Sequence, residues 1–221
     1  IKIWQAWING STDLIPSQSD INQAQSVIGW TNLQLLPNRN IQKKNTQLQL
    51  DLSSIAKGYG VDQIASLLQK LGSHDYLVEI GGEVTVSGSN PNGKEWKMGI
   101  ELPQYNTDQS LFGVISLPSN MAMASSGKYR QYRDYQGKRL SHIIDPRTGY
   151  PSKSSVVGVS VVSQKCVISD GLATALMILT IDEGVEMIKK FPGSSALFFL
   201  ELDNGQIITR HTKAFPDIVL N

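Results

Sequence analysis

The sequence predicts an α+β protein with largely antiparallel sheets and packed helices. Three observations carry this. β-rich runs follow one another closely at residues 76–86, 96–101 and 112–117, and helical patterns are interspersed among groups of strands instead of following every one. Asn204-Gly205, a strong two-residue turn signal, joins residues 196–202 and 207–210 as a hairpin. The 221 residues suffice for one large domain or two small ones with a substantial core, and 40% hydrophobic and 18% charged content are those of an ordinary globular protein.

The elements follow in order. Ile3-Trp4-Gln5-Ala6-Trp7-Ile8 reads as a strand or short helix whose natural upstream partner is missing. Residues 16–28 space Ile21, Ala24 and Val27 or Ile28 for one face of a short amphipathic helix. Residues 38–45 are a polar connection. Leu48, Leu50 and Leu52 alternate with polar neighbours, the period of a half-buried strand. A helical stripe of Ile55, Tyr59, Ile64, Leu67, Leu68 and Leu71 follows, closed by Gly72. Residues 76–86 read as a strand interrupted by Gly81-Gly82; residues 96–101 and 112–117 are further strands around a loop at 103–110. Residues 121–126 lead to Gly127, and 156–163 form another β-rich run. Ser169 is placed as N-cap of a helix through Leu179, and Asp182 of a second through Lys190. Internal repeats are absent.

Several function classes are disfavoured. A net charge of +1 gives no electrostatic argument for nucleic acid or an anionic membrane. No apolar run is long enough to span a bilayer. Cys166 is the only cysteine, which excludes an internal disulfide and a thiolate zinc site and suits a buried small hydrophobe. The chain begins at Ile1, as expected of a processed product or a fragment.

The chemistry-bearing segments are five. Ser141-His142-Ile143-Ile144-Asp145-Pro146-Arg147-Thr148-Gly149 sets an imidazole ahead of a rigid bend: Asp and Thr can bond their own backbone, Pro presets φ, and Gly takes the left-handed position. A fixed His can serve as a base near neutral pH, and it can equally be a hydrogen-bonded strand-end residue. Asp170 and Thr174 lie four apart on one helix face, Asp170 in the first turn; they suit either part of a hard-cation site or simple dipole complementation and back-bonding. Residues 51–60, Asp-Leu-Ser-Ser-Ile-Ala-Lys-Gly-Tyr-Gly, form a junction rich in small residues, with amide donors at the helix start and Lys57 available to an anion. It lacks the order of a phosphate-binding Walker loop, and an efficient turn with Ser caps is its structural alternative. Gly81-Gly82 within a strand pattern suggests a bulge or close backbone approach to a ligand. Residues 124–130 supply Ser125 and Ser126, a Gly and two cations, and Tyr129, Tyr132 and Tyr135 follow as stacking or core-edge residues.

Taken in chain order, Asp-Leu-Ser-x-Ile-Ala-Lys-Gly-Tyr at 51–59, Gly-Gly-Glu at 81–83, Ser-Ser-Gly-x-Tyr at 125–129, His-Ile-Ile-Asp-Pro-x-Thr-Gly at 142–149 and Asp-x-x-x-Thr at 170–174 resemble the FAD:protein FMN transferase (ApbE-like, thiamin-biosynthesis lipoprotein) family. The resemblance is clear from about residue 47 to 190. It implies a T-fold-like architecture over a single domain, 1–221, lacking the family's N-terminal segment. It also implies that Asp51, Lys57 and Ile144 contact the flavin dinucleotide, with Gly81, Gly82 and Ser126 as further candidates. Magnesium would be held by the Ser54 main-chain carbonyl, Asp170 and Thr174, and His142 would be the general base. Some relatives carry a second acidic residue where this chain has Ala173, so one carboxylate fewer is available. The activity implied is Mg²⁺-dependent transfer of FMN from FAD to a Ser or Thr hydroxyl of an acceptor flavoprotein, a subunit of a redox complex, with release of AMP. FAD pyrophosphatase activity and flavin binding without turnover are the alternatives. The implied location is the periplasmic side of the bacterial inner membrane, lipid-anchored in the full-length protein.

Overall fold

The computed structural model describes residues 7, 15–104, 110–128, 132–135 and 138–220; the element expected at residues 3–8, apart from Trp7, the middle of the 103–110 loop and the side chains of the three tyrosines at 129–135 lie outside the described residues. Helix α1 (Gln18–Ser26) and the strands β1 (Leu33–Leu35) and β2 (Ile41–Lys43) come first. Helix α2 (Ala56–Lys70) leads into β3 (Tyr76–Ile80), β4 (Glu83–Ser87), β5 (Trp96–Glu101), β6 (Leu111–Leu117) and β7 (Ala122–Gly127). The short strands β8 (Tyr132–Tyr135), β9 (Lys138–Ser141), β10 (Ile144–Asp145) and β11 (Tyr150–Pro151) follow. The chain continues through β12 (Val156–Ser163), α3 (Cys166–Leu176), α4 (Ile181–Lys189), β13 (Ser195–Glu201), β14 (Ile207–His211) and β15 (Ile218–Leu220). All strand pairs recorded are antiparallel. The α+β, antiparallel expectation is met.

The chain divides into two compact units, one of residues 1–51 and 131–152, the other of 52–130 and 153–221. In the larger, a six-stranded sheet runs β14-β13-β12-β7-β4-β3 and a three-stranded sheet runs β15-β6-β5. Their facing sides share one core: Val84, Val86, Met123, Leu197 and Phe199 from the first sheet meet Met98, Ile100, Ile115 and Leu117 from the second. Strand β12, Val-Val-Gly-Val-Ser-Val-Val-Ser, is buried at every residue, as a central strand covered on both faces must be. Its second cover is helical. Helix α3 packs on β7 and β12, and α2 on α3 and β3, around Val61, Ala65, Tyr76, Val78, Ala122 and Cys166.

The smaller unit holds α1, β1–β2 and the β8–β11 ladders. Ser17 caps α1: its hydroxyl accepts from the Asp20 amide (3.1 Å) while Asp20 accepts from the Ser17 amide (3.1 Å), a reciprocal capping box. Ile21 and Ala24 are buried with Trp7, on the face the spacing predicts.

Five sequence expectations change. Residues 48–52 form no strand: Leu48 is buried, but Leu50 and Leu52 are half exposed, and the Leu52 carbonyl instead accepts from the Ile55 (3.0 Å) and Ala56 (2.8 Å) amides in the turn entering α2. Within the polar stretch at 38–45, residues 41–43 form the exposed strand β2. Gly81-Gly82 does not interrupt one strand but joins two. Ile80 pairs with Glu83 across the two-residue turn, and both glycines have positive φ (60° and 97°), the requirement of a type I′ hairpin. Helix α3 begins at Cys166, so Ser169 is inside it and fully buried, sharing hydroxyl contacts with Ser163 (2.8 Å). Helix α4 is capped by Thr180 with Glu183 in a capping box, so its cap lies two residues before the expected Asp182.

Candidate active site

The site in the larger unit is built where the N-terminal turns of α2 and α3 pack against each other. The helices touch because Gly58 has no side chain: a Cβ there would lie 2.5 Å from the Cys166 carbonyl oxygen and 2.8 Å from Asp170 Cβ. Each helix caps the other. Asp62 of α2 accepts from the Cys166 (2.8 Å) and Val167 (3.0 Å) amides at the start of α3, where Lys165 offers no side-chain cap. Asp170 of α3 accepts from the Gly58 amide (2.9 Å) in the first turn of α2, which has no side-chain N-cap of its own.

That second bond bears on cation binding. A regular helix would close the Gly58 amide on the Ser54 carbonyl. Here the amide turns to Asp170 Oδ2, so the Ser54 carbonyl has no helical partner among the described residues. Thr174 lies one turn beyond Asp170, its hydroxyl 3.3 Å from that of Ser126 on β7. A freed carbonyl, a carboxylate and a hydroxyl are oxygen donors alone, suited to a hard cation that keeps several waters. No group of three or more His, Cys, Asp or Glu that could hold a metal occurs among the described residues, so the donor set would be sparse. Asp170 stands on the second turn of α3, not the first, because the helix starts earlier than expected. Burial pushes its carboxyl above the ordinary value, opposed by the Gly58 amide and the charge of Lys57.

Lys57, beside Gly58, places Nζ 2.5 Å from Glu83 Oε2. Glu83 follows the Gly81-Gly82 turn and is 1% exposed. Its role went unassigned in the sequence, where it stood only within Gly-Gly-Glu; that it opens a strand buried at every position is seen in the fold. Asp62 carries no sequence signal; only the tertiary pairing of α2 with α3 gives it its task. A pocket of about 370 Å³ opens between the two sheets, lined by Gly82, Lys97, Gly99, Ser125, Ser126 and Ser160 among others.

In the smaller unit, the bend expected after His142 forms in full. Asp145 Oδ1 accepts from the Arg147 amide (2.9 Å), and the Asp145 carbonyl accepts from the amides of Thr148 (3.2 Å) and Gly149 (2.8 Å), with Gly149 at φ 79°. The Arg147 guanidinium grips both oxygens of Asp145 and holds its carboxyl below the usual range. Asp145 is thus committed to the turn. The Ser141 hydroxyl accepts from the Ile143 amide (3.0 Å), and Ile143 receives the Ser152 amide (2.9 Å), which fixes the backbone on the C-terminal side of His142. His142 and Ile144 are half-buried, and Asp51 is exposed. Of the residues singled out in the sequence, Ser54, Lys57, Gly81, Gly82, Ser126, Asp170 and Thr174 lie in the larger unit, and Asp51, His142 and Ile144 in the smaller.

The sequence profile of the ApbE family matches residues 1–199. The chain belongs to the ApbE family. A relative from Haemophilus influenzae, named FAD:protein FMN transferase, is 38% identical over 221 residues, which are 99% of this chain and 63% of that protein. One of the same name from Vibrio cholerae is 39% identical over 84% of this chain and 54% of its own length. Among solved structures, the flavin transferase ApbE from Vibrio cholerae superposes with a TM-score of 0.83 at 34% identity, covering 97% of this chain and 67% of that one. The ApbE protein from Thermotoga maritima gives 0.74 at 30% identity, over 88% and 62%. This ApbE chain thus spans from about half to under two thirds of the length of the curated relatives it matches.

Proposed function

We propose that this ApbE-family chain carries out flavin transfer, moving FMN from FAD to a Ser or Thr hydroxyl of an acceptor flavoprotein in a redox complex and releasing AMP. The observation that carries this is the Gly58 amide turned onto Asp170, which leaves the Ser54 carbonyl open beside Lys57 at the start of α2. The shared name of the relatives supports the substrate. The dinucleotide pyrophosphate is anionic, and Lys57 and the α2 amides offer the opposite charge. Asp51, Ile144, Gly81, Gly82 and Ser126 are the other residues assigned to FAD. In the reaction the acceptor oxygen forms a bond to the FMN-side phosphorus as the bond from that phosphorus to the bridging oxygen breaks. The bridging oxygen leaves with AMP, and an imidazole nitrogen of His142 takes the hydroxyl proton. Mg²⁺ would be held by the Ser54 carbonyl, Asp170 and Thr174, and when bound it would supply neutralisation of the phosphate charge.

No helix among the described residues is long and apolar enough to cross a membrane. Placement at the periplasmic face of the inner membrane through a lipid anchor is part of the same reading. The test is mass spectrometry of an acceptor protein incubated with this chain, FAD and Mg²⁺. Addition of FMN to the acceptor with free AMP supports transfer. Free FMN and AMP with unlabelled acceptor would replace it by a pyrophosphatase, and unchanged FAD by a flavin-binding role.

A further inference from the structure

The turn at Gly81-Gly82 delivers Glu83 to an unusual place. Glu83 opens β4, whose residues are all buried, and its side chain is 2% exposed, whereas that of Lys57 is 42% exposed. Lys57 is the one cation acting on Glu83 among the described residues, and the charge of nearby Asp170 opposes its ionisation further. The contact is an ion pair at 2.5 Å, with Lys57 Nζ against Oε2. A Cβ on Gly81 would lie 3.4 Å from Lys57 Cδ, an ordinary packing distance, so the turn runs alongside the lysine stem that reaches Glu83. Burying a carboxylate for half of an ion pair contributes little net stability, and an apolar side chain of similar volume would often do as well. What such a pair does supply is position. A surface lysine has rotamer entropy to lose on binding a ligand, and one already tethered has less.

We propose that Glu83 is a positioning residue that tethers Lys57, holding its ammonium at the first turn of α2 ready for the pyrophosphate of a flavin dinucleotide. This rests on the flavin-transfer reading above. It makes a counterintuitive prediction. Glu83→Gln removes a negative charge near an anion site, so simple electrostatics would tighten FAD binding. Loss of the tether weakens it instead.

The experiment is a fluorescence titration of FAD into the wild-type chain, Glu83→Gln, Lys57→Met and the double variant, with melting temperatures alongside. Glu83→Gln is expected to weaken FAD binding about tenfold, the scale of one charged hydrogen bond, and to add nothing in the Lys57→Met background. Equal or tighter binding by Glu83→Gln, or an equal loss with and without Lys57, overturns the tether. Should Glu83→Gln fail to fold, Glu83→Asp keeps the charge and retracts it by one methylene, and binding as tight as wild type then overturns the tether. A wild-type chain that binds no FAD overturns the proposed function and this inference with it, whereas wild-type binding with an insensitive Glu83 variant overturns the inference alone.

Discussion

At Asp170 one carboxylate oxygen takes the Gly58 amide, so the helix end and the proposed cation site would share a single side chain. Asn and Ala separate the two duties. Asp170→Asn keeps an acceptor for Gly58 and should melt close to wild type while losing Mg²⁺-dependent turnover. Asp170→Ala should lose that turnover as well and, with a buried amide unsatisfied, about 1–3 kcal/mol of stability by urea unfolding. Undiminished Mg²⁺-dependent turnover in either variant would remove the ion from this helix. Lys128 offers a pH test. It is buried, its ammonium donates to the Ser154 carbonyl, and burial pulls it from 10.5 down to about 8 against the opposing charge of Glu201. Between those two values the unfolded chain still holds a proton that the folded chain has released, so this group makes stability rise with pH through that window. Below it both states are protonated and the contribution is flat. Unfolding free energies measured across the window should therefore climb less steeply in Lys128→Met than in wild type.

For the elements, the glycine turn is the sharpest case. Both glycines sit at positive φ, so Gly82→Val should cost the fold about 1–3 kcal/mol of backbone strain before any ligand is considered. Gly81→Asn should be milder than Gly81→Val, since Asn adopts this conformation far more readily, and a denaturant series on all three variants checks the order. The hairpin was readable, because two glycines between alternating runs are a turn signal as good as Asn204-Gly205. Reading them as an interruption missed that the residues on either side pair with each other. Strands β5, β6, β12, β13 and β14 were legible from local pattern, β12 by its unbroken run of small and β-branched residues, whereas the short β1, β2, β8–β11 and β15 were not. Helix α2 was legible in extent but not in orientation. Its large residues Tyr59, Leu67 and Leu71 are more than half exposed, and the buried face is Gly58, Val61 and Ala65. Periodicity ranks faces by hydrophobicity, whereas this face is chosen by closeness to α3, where small residues win. The same limit explains the false strand at 48–52, where alternation exists but no pairing strand does among the described residues.

Across the whole molecule, candidate groups reside in two compact units, and the five ordered motifs made the family legible before any coordinates. Which unit each motif occupies was not legible, because the chain leaves the smaller unit at residue 51 and returns at 131. His142→Ala tests the division of labour. Acceptor labelling should fall about 10²–10⁴-fold, the usual contribution of a general base, while FAD binding persists. Loss of FAD binding in this variant would make His142 a ligand contact instead. The mutual capping of α2 and α3 has a consequence for how the larger unit opens. The Gly58, Cys166 and Val167 amides are each bonded to a carboxylate on the other helix, so none can be protected while the helices are apart. In native-state hydrogen exchange the three should share one protection factor, set by a single cooperative opening. On that expectation the corner where the two helices cap each other is all-or-none, with no half-assembled form in which one helix end stays ordered after the other has frayed.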